Sequence, residues 1–276
     1  MISWHGAYSF AFSMQCLFRL ATGWSQKLAV IVLIPLFVLA RILPCLFKAD
    51  IVIHLDNNSY VLGTNSFEWY PFKEIYCDGV YERARDFVPE RDWIVFDLGA
   101  NIGLFTIQQA RRGAFVYSFE PNPDCYRRLK AAVTINGLDG QVYSANYALG
   151  SGVDSGYMTM SKGTSVAGTV VLDGGSSEVG GPRVQVTSLD HIVPTFDVVR
   201  IDLLKIDVEG FEADVLRGAR HTLSLVNRVI VECHSPALET EVQALLLPHG
   251  FICKERIDLT STGDVSLLYA ARSPAR

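Results

Sequence analysis

The chain from Trp93 onward alternates short, mostly apolar runs with segments whose apolar residues recur at helical spacing. The runs WIVFDL, AFVYSFE and QVYSANYAL are typical of strands buried on both faces of a sheet. Between the second and third runs, Asn122 and Pro123 are suited to begin a helix, and Asn136-Gly137 is suited to end it. Strand, helix, strand, helix and strand within about fifty residues predict a parallel α/β sheet with right-handed crossovers.

The second half of the chain repeats this alternation. DLLKIDVEG and RVIVECH predict two further buried strands, with a helix over FEADVLRGARHTL between them. Apolar residues at i, i+4, i+7 and i+8 then predict an amphipathic helix that ends at Pro248-His249-Gly250. FICKERI and DVSLLYAAR predict an antiparallel pair that closes the chain.

Residues 150–182 break this rhythm. They contain nine glycines and many serines, with short alternating pieces such as GYMTM. The composition predicts an excursion at the sheet edge, part hairpin and part mobile loop. A plain surface loop is the default interpretation, and a substrate lid is the functional one.

The pattern divides the chain into three regions, at 1–50, 51–90 and 91–276. The middle region begins with a predicted hairpin over 51–62, because Asp-Asn-Asn separates two apolar runs. Mixed, mainly helical residues over 72–87 then lead into the main domain.

The first region is an apolar segment for which the pattern predicts helix. Its uncharged run LAVIVLIPLFVLA, between Lys27 and Arg41, is shorter than the about 20 residues that a membrane span takes. Reading on through Arg41 would place a charge in the bilayer, at a cost of roughly 2.5 kcal/mol or more. We interpret the segment as a buried helix or domain cap, with membrane contact through residues 28–47 as the alternative.

Charge and cysteine content narrow the class of protein. The formal net charge is -5 and the chain has no basic tract, so we expect no nucleic-acid partner. The six cysteines are scattered without a CxxC pair, which indicates reduced thiols of a cytoplasmic chain and neither zinc ligands nor disulfides. Oligomeric state is not readable from these features.

The turn after the first strand of the main domain reads D-x-G-x-N-x-G, with Asp97, Gly99, Asn101 and Gly103 at the fixed positions. A dinucleotide fingerprint requires G-x-G-x-x-G, and this turn lacks two of the three glycines. Asparagine visits the left-handed backbone region more readily than most residues, so it suits the middle position. A pyrophosphate-binding turn is therefore not supported.

Acidic residues follow the predicted strands. Glu120 comes 21 residues after Gly99, where an acid in a doubly wound sheet accepts the hydroxyls of a ribose. Asp97, Asp207 and Glu209 also fall at the carboxyl ends of strands, where such sheets bind ligands. Several acids at one cleft attract a cation. S-adenosylmethionine, a nucleoside with a positive sulfonium and no phosphate, fits these requirements.

The motifs VFDLGANIGLFT, FEPNP, TSLD, LLKIDVEGFEADVLRGA and IVECH occur in the order seen in FkbM-type methyltransferases, which this chain resembles over roughly residues 70–255. KIDVEGFE is the most specific of them. The resemblance implies a class I methyltransferase fold, Rossmann-like and doubly wound, with a seven-stranded, mostly parallel sheet and a reversed last strand. It also implies S-adenosylmethionine as cofactor and O-methylation of a saccharide or secondary metabolite.

The resemblance further implies which residues hold the cofactor. Asp97, Gly99, Asn101 and Gly103 would form the loop on the methionine side. Glu120 would hold the ribose, and Pro121 and Asn122 would pass along the adenine. The segment Asn146-Tyr147-Ala148 would close over the ring, and Asp207 would complete the site.

Removing the acceptor's proton requires a general base within hydrogen-bond reach. Asp207 and Glu209 stand two residues apart at one strand end, and Glu232 and His234 repeat that spacing on the next strand. Lys205 is either part of the chemistry or an ion-pair partner of Asp207. Glu209 serves equally well as a base or as a cap of the following helix. We predict no metal ligand set, although a cation shared by Asp207, Glu209 and Glu232 stays open.

Two other functions compete with methyl transfer. A nicotinamide-dependent oxidoreductase or epimerase would use the same sheet, but the glycine spacing disfavours it. A membrane-attached nucleoside-binding module without catalysis would use residues 28–47 as its anchor, and the acids at the strand ends disfavour it only weakly.

Overall fold

A computed structural model of the chain describes residues 18, 21, 23–28, 31–32, 50–55, 57–63, 69–160, 168–172 and 181–272. Its centre is a seven-stranded sheet with the strand order β12-β13-β11-β10-β3-β4-β5. These strands are β3 (Ile94–Leu98), β4 (Phe115–Phe119), β5 (Val142–Ala145), β10 (Leu203–Ile206), β11 (Arg228–Cys233), β12 (Phe251–Asp258) and β13 (Ser266–Arg272).

One strand of this sheet is reversed. The pairs β3–β4, β4–β5, β3–β10 and β10–β11 are parallel. The last strand, β13, is antiparallel to both of its neighbours, β11 and β12. The doubly wound sheet with a reversed last strand, and the antiparallel pair at the end of the chain, are therefore confirmed.

From residue 50 onward, six α-helices accompany the strands in the described part of the chain. They are α1 (Trp69–Phe72), α2 (Leu104–Arg111), α3 (Pro123–Ile135), α4 (Leu189–Ile192), α5 (Glu212–Arg217) and α6 (Pro236–Leu246). The Asn122 side chain accepts the backbone N–H groups of Asp124 and Cys125, which confirms the cap expected at the start of α3. Asn136 and Gly137, the latter with φ +67°, end that helix as expected.

Alternate residues of each strand enter two apolar layers, one on either face of the sheet. Val95 and Ile230 belong to the layer shared with α2 and α3. Phe96 and Val231, the next residues along the same strands, belong to the layer shared with α4, α5 and α6. All four side chains are fully buried, which explains why apolar residues fall on both faces of these strands and do not alternate with polar ones.

An N-terminal unit covers the first of these layers. Strands β1 (Asp50–Leu55) and β2 (Asn58–Gly63) form the expected hairpin, with Asn57 at φ +62° in its turn. Helix α1 continues into a π-helix at Lys73–Asp78 and 3₁₀ turns at Val80–Glu82 and Arg85–Phe87. This confirms the mixed helical character predicted for 72–87, and it brings Tyr81 to the carboxyl edge of the sheet.

The glycine-rich excursion contains more regular structure than predicted. Strands β6 (Ala148–Leu149), β7 (Asp154–Met160), β8 (Gly168–Leu172) and β9 (Arg183–Thr187) form a four-stranded sheet in the order β6-β9-β7-β8. The expected hairpin is β7–β8, but the sequence analysis missed β9. β9 pairs with β6, which lies 34 residues earlier in the chain, and the local sequence pattern does not indicate such a distant contact.

Two element boundaries also differ from the pattern. The run QVYSANYAL divides at residues 146–147 into β5 and β6, which belong to different sheets. The helix predicted over FEADVLRGARHTL ends at Arg217, and Thr222–Leu225 forms a separate 3₁₀ turn. Gly218 lies where a Cβ atom would be 2.1 Å from the carbonyl oxygen of Gly150, so this glycine marks a close backbone contact.

The cysteine prediction needs one correction. Cys125 and Cys233 are buried free thiols, as expected. Cys77, however, takes part in a disulfide. Spacing along the sequence does not reveal which cysteines meet in space.

The apolar run at residues 28–40 lies almost wholly outside the described residues. Among those that are described, no helix is both long and apolar enough to cross a bilayer. Trp24 and Leu28 are largely exposed. The three-region division and the membrane alternative stay predictions.

Candidate active site

The loop between β3 and α2 approaches the end of β10 very closely. Gly99 has φ +76°, and a Cβ atom at this position would lie 1.7 Å from the carbonyl oxygen of Asp207. Asn101 also adopts the left-handed region, at φ +53°, as its place in the motif suggested. The Asn101 Oδ1 atom is buried and has no hydrogen-bond partner among the described residues.

Asp97 and Lys205 form a buried pair beneath this loop. Lys205 Nζ lies 3.1 Å from Asp97 Oδ1 and 3.3 Å from Asp207 Oδ2, and it donates to the Gly99 carbonyl at 3.0 Å. Burial lowers the pKa of Lys205, but the charges of Asp97 and Asp207 outweigh burial and raise it. Asp97 also accepts the Thr106 hydroxyl at 2.6 Å and is fully buried, so it supports the loop from below and does not line the cleft.

Glu120 holds the same loop from the neighbouring strand end. One carboxylate oxygen accepts the Asn101 N–H at 2.7 Å, and the other accepts the Asn122 N–H at 2.8 Å. Burial raises the pKa of Glu120 to about 7, against the two backbone donors, which lower it. Each oxygen retains a second lone pair toward the cleft, so the carboxylate can still accept hydroxyl groups.

The rest of the cleft combines a polar side with an apolar wall. Pro121 and Ala148 line it, as the sequence suggested. Asn146 instead donates its side-chain amide to the carbonyls of Glu120 and Pro121, and the Asn122 side chain caps α3, so both residues shape the cleft through its backbone. The apolar wall consists of Phe119, Tyr147, Leu149, Met158, Val170, Val208 and Phe211.

Gly103 lies away from the cleft. Its φ is +90°, and a Cβ atom there would lie 2.4 Å from Leu129 Cδ1 on α3. Gly103 also precedes the first residue of α2. Gly103 therefore allows α2 and α3 to pack closely, and it affects the cofactor loop only through the position of α2.

Glu209 and His234 meet on the far side of the cleft. Glu209 lines the cleft at φ +54°, a backbone region that costs a non-glycine residue about 1 kcal/mol or more. Its Oε2 lies 3.3 Å from His234 Nε2. Burial and the charge of Asp207 raise the pKa of Glu209.

Glu212 orients this histidine. Its Oε1 atom lies 2.9 Å from His234 Nδ1 and also accepts the Gly210 N–H at 3.0 Å. Burial lowers the pKa of His234, but the hydrogen bond and charge of Glu212, with the charge of Asp207, raise it to about 10. The alternative of Glu209 as a helix cap is wrong, because Glu212 takes the loop amides and Phe211 occupies the cap position without a side-chain bond.

Comparison with known proteins identifies the fold family. Residues 97–253, more than half of the chain, match the family model described as the methyltransferase FkbM domain. The chain belongs to the FkbM methyltransferase family. As a member, it is a methyltransferase, and S-adenosylmethionine is its cofactor.

Three relatives illustrate the range of this family. Methyltransferase sdnD of Sordaria araneosa is 29% identical over 75% of this chain and 91% of its own length. The 31-O-demethyl-FK506 methyltransferase FkbM of Streptomyces tacrolimicus is 29% identical over 82% of this chain and 99% of its own. Hexuronic acid methyltransferase AglP of Haloferax volcanii is 34% identical over 57% of this chain, which spans 62% of that relative.

The cleft of this FkbM methyltransferase family member fits S-adenosylmethionine. The buried, unpartnered Asn101 Oδ1 is an acceptor that an ammonium group would satisfy. Gly99 also lines the cleft, with its N–H donated to the Phe119 carbonyl and its C=O accepting from Lys205, so it supplies space for a ligand and no free backbone polar group. The acids of the cleft favour a ligand with positive charge.

A metal ion is a second group that the acids could hold. Asp207, Glu232 and His234 each offer a ligand atom, and these atoms lie within 4.8 Å of one another. Lys205 already pairs with Asp207, and the Tyr81 hydroxyl contacts Asp207 and Glu232. The Lys205 ammonium and the Tyr81 hydroxyl thus already interact with the carboxyl groups of this cluster, and we assign no metal to it.

Sequence reasoning missed Tyr81, Glu212 and the Met158–Val170 part of the apolar wall. Glu212 is the last residue of the specific motif KIDVEGFE, and this position could have marked it as a site residue. An acid in the first turn of a helix is usually explained by the helix dipole, so the sequence did not indicate that Glu212 is buried. Tyr81 precedes the motifs, and the Met158 and Val170 strands come from the irregular excursion. No local signal marked them.

Proposed function

We propose that this chain transfers the methyl group of S-adenosylmethionine to a hydroxyl oxygen of a saccharide or secondary metabolite. The observation that carries the proposal is the set of residues that border one cleft. They are Glu120, at the position where a carboxylate binds a ribose, Asn101, whose Oδ1 is buried without a partner, and Glu209, whose pKa is raised. The relatives named for hexuronic acid and for 31-O-demethyl-FK506 support an oxygen on a small molecule as the acceptor.

Cofactor binding would use the loop and the two strand ends beside it. Glu120 is suited to accept the ribose hydroxyls, because its carboxylate is already fixed by two backbone donors. Asn101 Oδ1 is suited to the amino-acid part. Pro121 and Ala148, with the apolar wall, are suited to the adenine ring.

Bound S-adenosylmethionine supplies a methyl group on a positively charged sulfur. The chain's own part is to align the acceptor oxygen with that carbon and to remove the hydroxyl proton. We assign proton removal to Glu209, since it lines the cleft and its pKa is raised. His234, held by Glu212 and 3.3 Å from Glu209, would position this carboxylate, and a pKa of about 10 leaves the imidazole protonated at neutral pH.

Calorimetry with S-adenosylhomocysteine and with NAD tests the proposal. We expect one S-adenosylhomocysteine per chain and no NAD binding. Glu120→Ala should weaken the affinity for S-adenosylhomocysteine by more than about tenfold, because the ribose hydroxyls lose the buried carboxylate that accepts their hydrogen bonds. Glu90→Ala, at an exposed glutamate, is the matched control. Absence of S-adenosylhomocysteine binding would contradict the proposal, and unchanged affinity in Glu120→Ala would contradict the ribose assignment.

The acceptor class can then be found by release of S-adenosylhomocysteine over a panel of neutral sugars, uronic acids and hydroxylated polyketides. A product methylated at oxygen supports the proposal. Methylation at nitrogen or carbon alone would contradict it.

A further inference from the structure

Tyr81 enters the site from outside the matched family domain. It lies on the 3₁₀ turn Val80–Glu82, upstream of residues 97–253, and only 5% of it is exposed. Its ring packs edge-on against Phe105, with centroids 5.3 Å apart, and Lys205 Nζ lies 5.5 Å from the ring centroid. These contacts fix the ring, so the position of its hydroxyl is set by the fold.

The Tyr81 hydroxyl touches two carboxyl groups at once. Its oxygen lies 3.2 Å from Asp207 Oδ2 and 3.1 Å from Glu232 Oε2. A phenol has one proton and can donate it to only one of them. At the other contact, two oxygen lone pairs would face each other in a buried site unless that carboxyl group carries a proton of its own.

The surroundings of the two carboxyl groups decide where this proton lies. Asp207 Oδ2 is paired with the Lys205 ammonium at 3.3 Å, so its charge is compensated. Glu232 lies within ion-pair distance of His234, whose Nε2 is 3.7 Å from Oε1, the oxygen that does not contact Tyr81. Burial and the charge of Asp207 raise the pKa of Glu232 well above its ordinary value.

We propose that Tyr81 is a positioning residue that links Glu232, as a neutral acid, to the Asp207 carboxylate through one chain of two hydrogen bonds. Glu232 donates to the Tyr81 oxygen, and Tyr81 donates to Asp207. The charged groups that face this chain are Glu74 on the π-helix, Asp97 on β3, Lys205 on β10 and His234 after β11.

This arrangement has a consequence for the proposed methyl transfer, on which it rests. Glu232 holds a proton and is not the base, which leaves Glu209 for that role. Asp207 keeps its negative charge and a fixed orientation at the cleft, between Tyr81 and Lys205. The N-terminal unit is therefore part of the active site, because its tyrosine completes the chain.

The first experiment needs no acceptor: thermal unfolding of the wild type and Glu232→Gln between about pH 5 and pH 8. A glutamine donates to Tyr81 as the neutral acid does. The unfolded wild type ionises at Glu232 while the folded protein holds the proton, so the contribution of Glu232 to the stability of the wild type falls as pH rises, and Glu232→Gln has no such contribution. We expect the Tm of Glu232→Gln, relative to the wild type, to increase steadily across this range. A difference that stays flat would overturn the proposal.

Glu239→Gln is the matched control for this experiment. Burial raises the pKa of Glu239, but Arg256 and Ser266 outweigh burial and lower it. A lowered pKa gives stability that is present above the ordinary value and is lost only in acid. The Glu239→Gln variant should therefore have a lower Tm than the wild type, by an amount that stays nearly constant between about pH 5 and pH 8, whereas the Glu232→Gln difference should change with pH.

The second experiment addresses Tyr81 through turnover and cofactor affinity. Tyr81→Phe keeps the ring packing and removes the hydroxyl, so kcat should fall by about tenfold while S-adenosylhomocysteine affinity changes by less than about twofold. Glu232→Gln should retain most of the wild-type kcat. Tyr126→Phe, which loses a hydroxyl bond to the Ser144 carbonyl, is the control.

Two results of this second experiment would overturn the proposal. One is a fall of kcat in Glu232→Gln as large as that expected when the general base is removed. The other is a wild-type kcat in Tyr81→Phe. Neither bears on whether S-adenosylhomocysteine binds, so failure here is distinguishable from failure of the methyltransferase assignment.

Discussion

The charged residues in and beneath the cleft differ in which neighbouring groups compensate their charge. Lys205 compensates Asp97 and Asp207, and Glu212 is shared between His234 and the loop amides. Glu209 lines the cleft, and its contact with His234 leaves it partly exposed. A carboxylate that reaches the acceptor space and has a raised pKa is suited to act as a general base at neutral pH.

Glu209→Gln tests this assignment at the residue scale. The amide keeps the shape of the side chain but cannot accept a proton, so kcat should fall roughly 100-fold, the usual worth of a general base. S-adenosylhomocysteine affinity should stay within about twofold. Glu241→Gln, at a partly exposed glutamate on α6 that pairs with Arg217 of α5, is the control. Turnover of Glu209→Gln near that of the control would contradict the role of Glu209.

At the scale of elements, the site depends on the close approach of two loops. The β3–α2 loop meets the end of β10 at Gly99, and Lys205 from β10 donates to the Gly99 carbonyl. The four-stranded sheet adds Met158 and Val170 to the opposite wall. The acids of the site are thus brought together by contacts between elements, not by any one motif.

Gly99→Ala tests this contact. The added Cβ atom would meet the Asp207 carbonyl oxygen at 1.7 Å, and φ +76° is strained for alanine. We expect the free energy of unfolding to fall by roughly 2 kcal/mol or more, measured by chemical denaturation.

Gly140→Ala is the control for that variant, because nothing lies within 4 Å of a Cβ atom at Gly140. It should leave the stability nearly unchanged. Equal stability of the two variants would show that the loops do not meet as described.

For the molecule as a whole, the charge of the site couples folding to pH. Burial raises the pKa of Glu120 to about 7, and His234 reaches about 10 because of Glu212 and Asp207. Both groups bind protons more tightly in the folded protein than in the unfolded chain. Such groups make stability fall as pH rises, in contrast to paired surface carboxylates.

His234→Gln tests this coupling. The His234 contribution is fully present below its ordinary pKa of 6.5 and is lost as pH rises toward about 10. The Tm advantage of the wild type over His234→Gln should therefore shrink across that interval. His191→Gln, at an exposed histidine, should show a constant difference. A wild-type advantage over His234→Gln that does not change with pH would contradict the paired, protonated histidine.

The sequence pattern by itself determined the parallel strands, the closing antiparallel pair and the loop motif, because buried strands, caps and left-handed turn positions depend on neighbouring residues. The reversed last strand came from the resemblance to the family. It also placed Asp97, Glu120, Asp207 and His234 at strand ends, since parallel strands share one carboxyl edge. Only the tertiary structure decided which of these groups line the cleft, which are buried beneath it, and that Tyr81 joins them. Those outcomes depend on distances between residues far apart in the chain, such as Tyr81 and Glu232, and no local pattern encodes them.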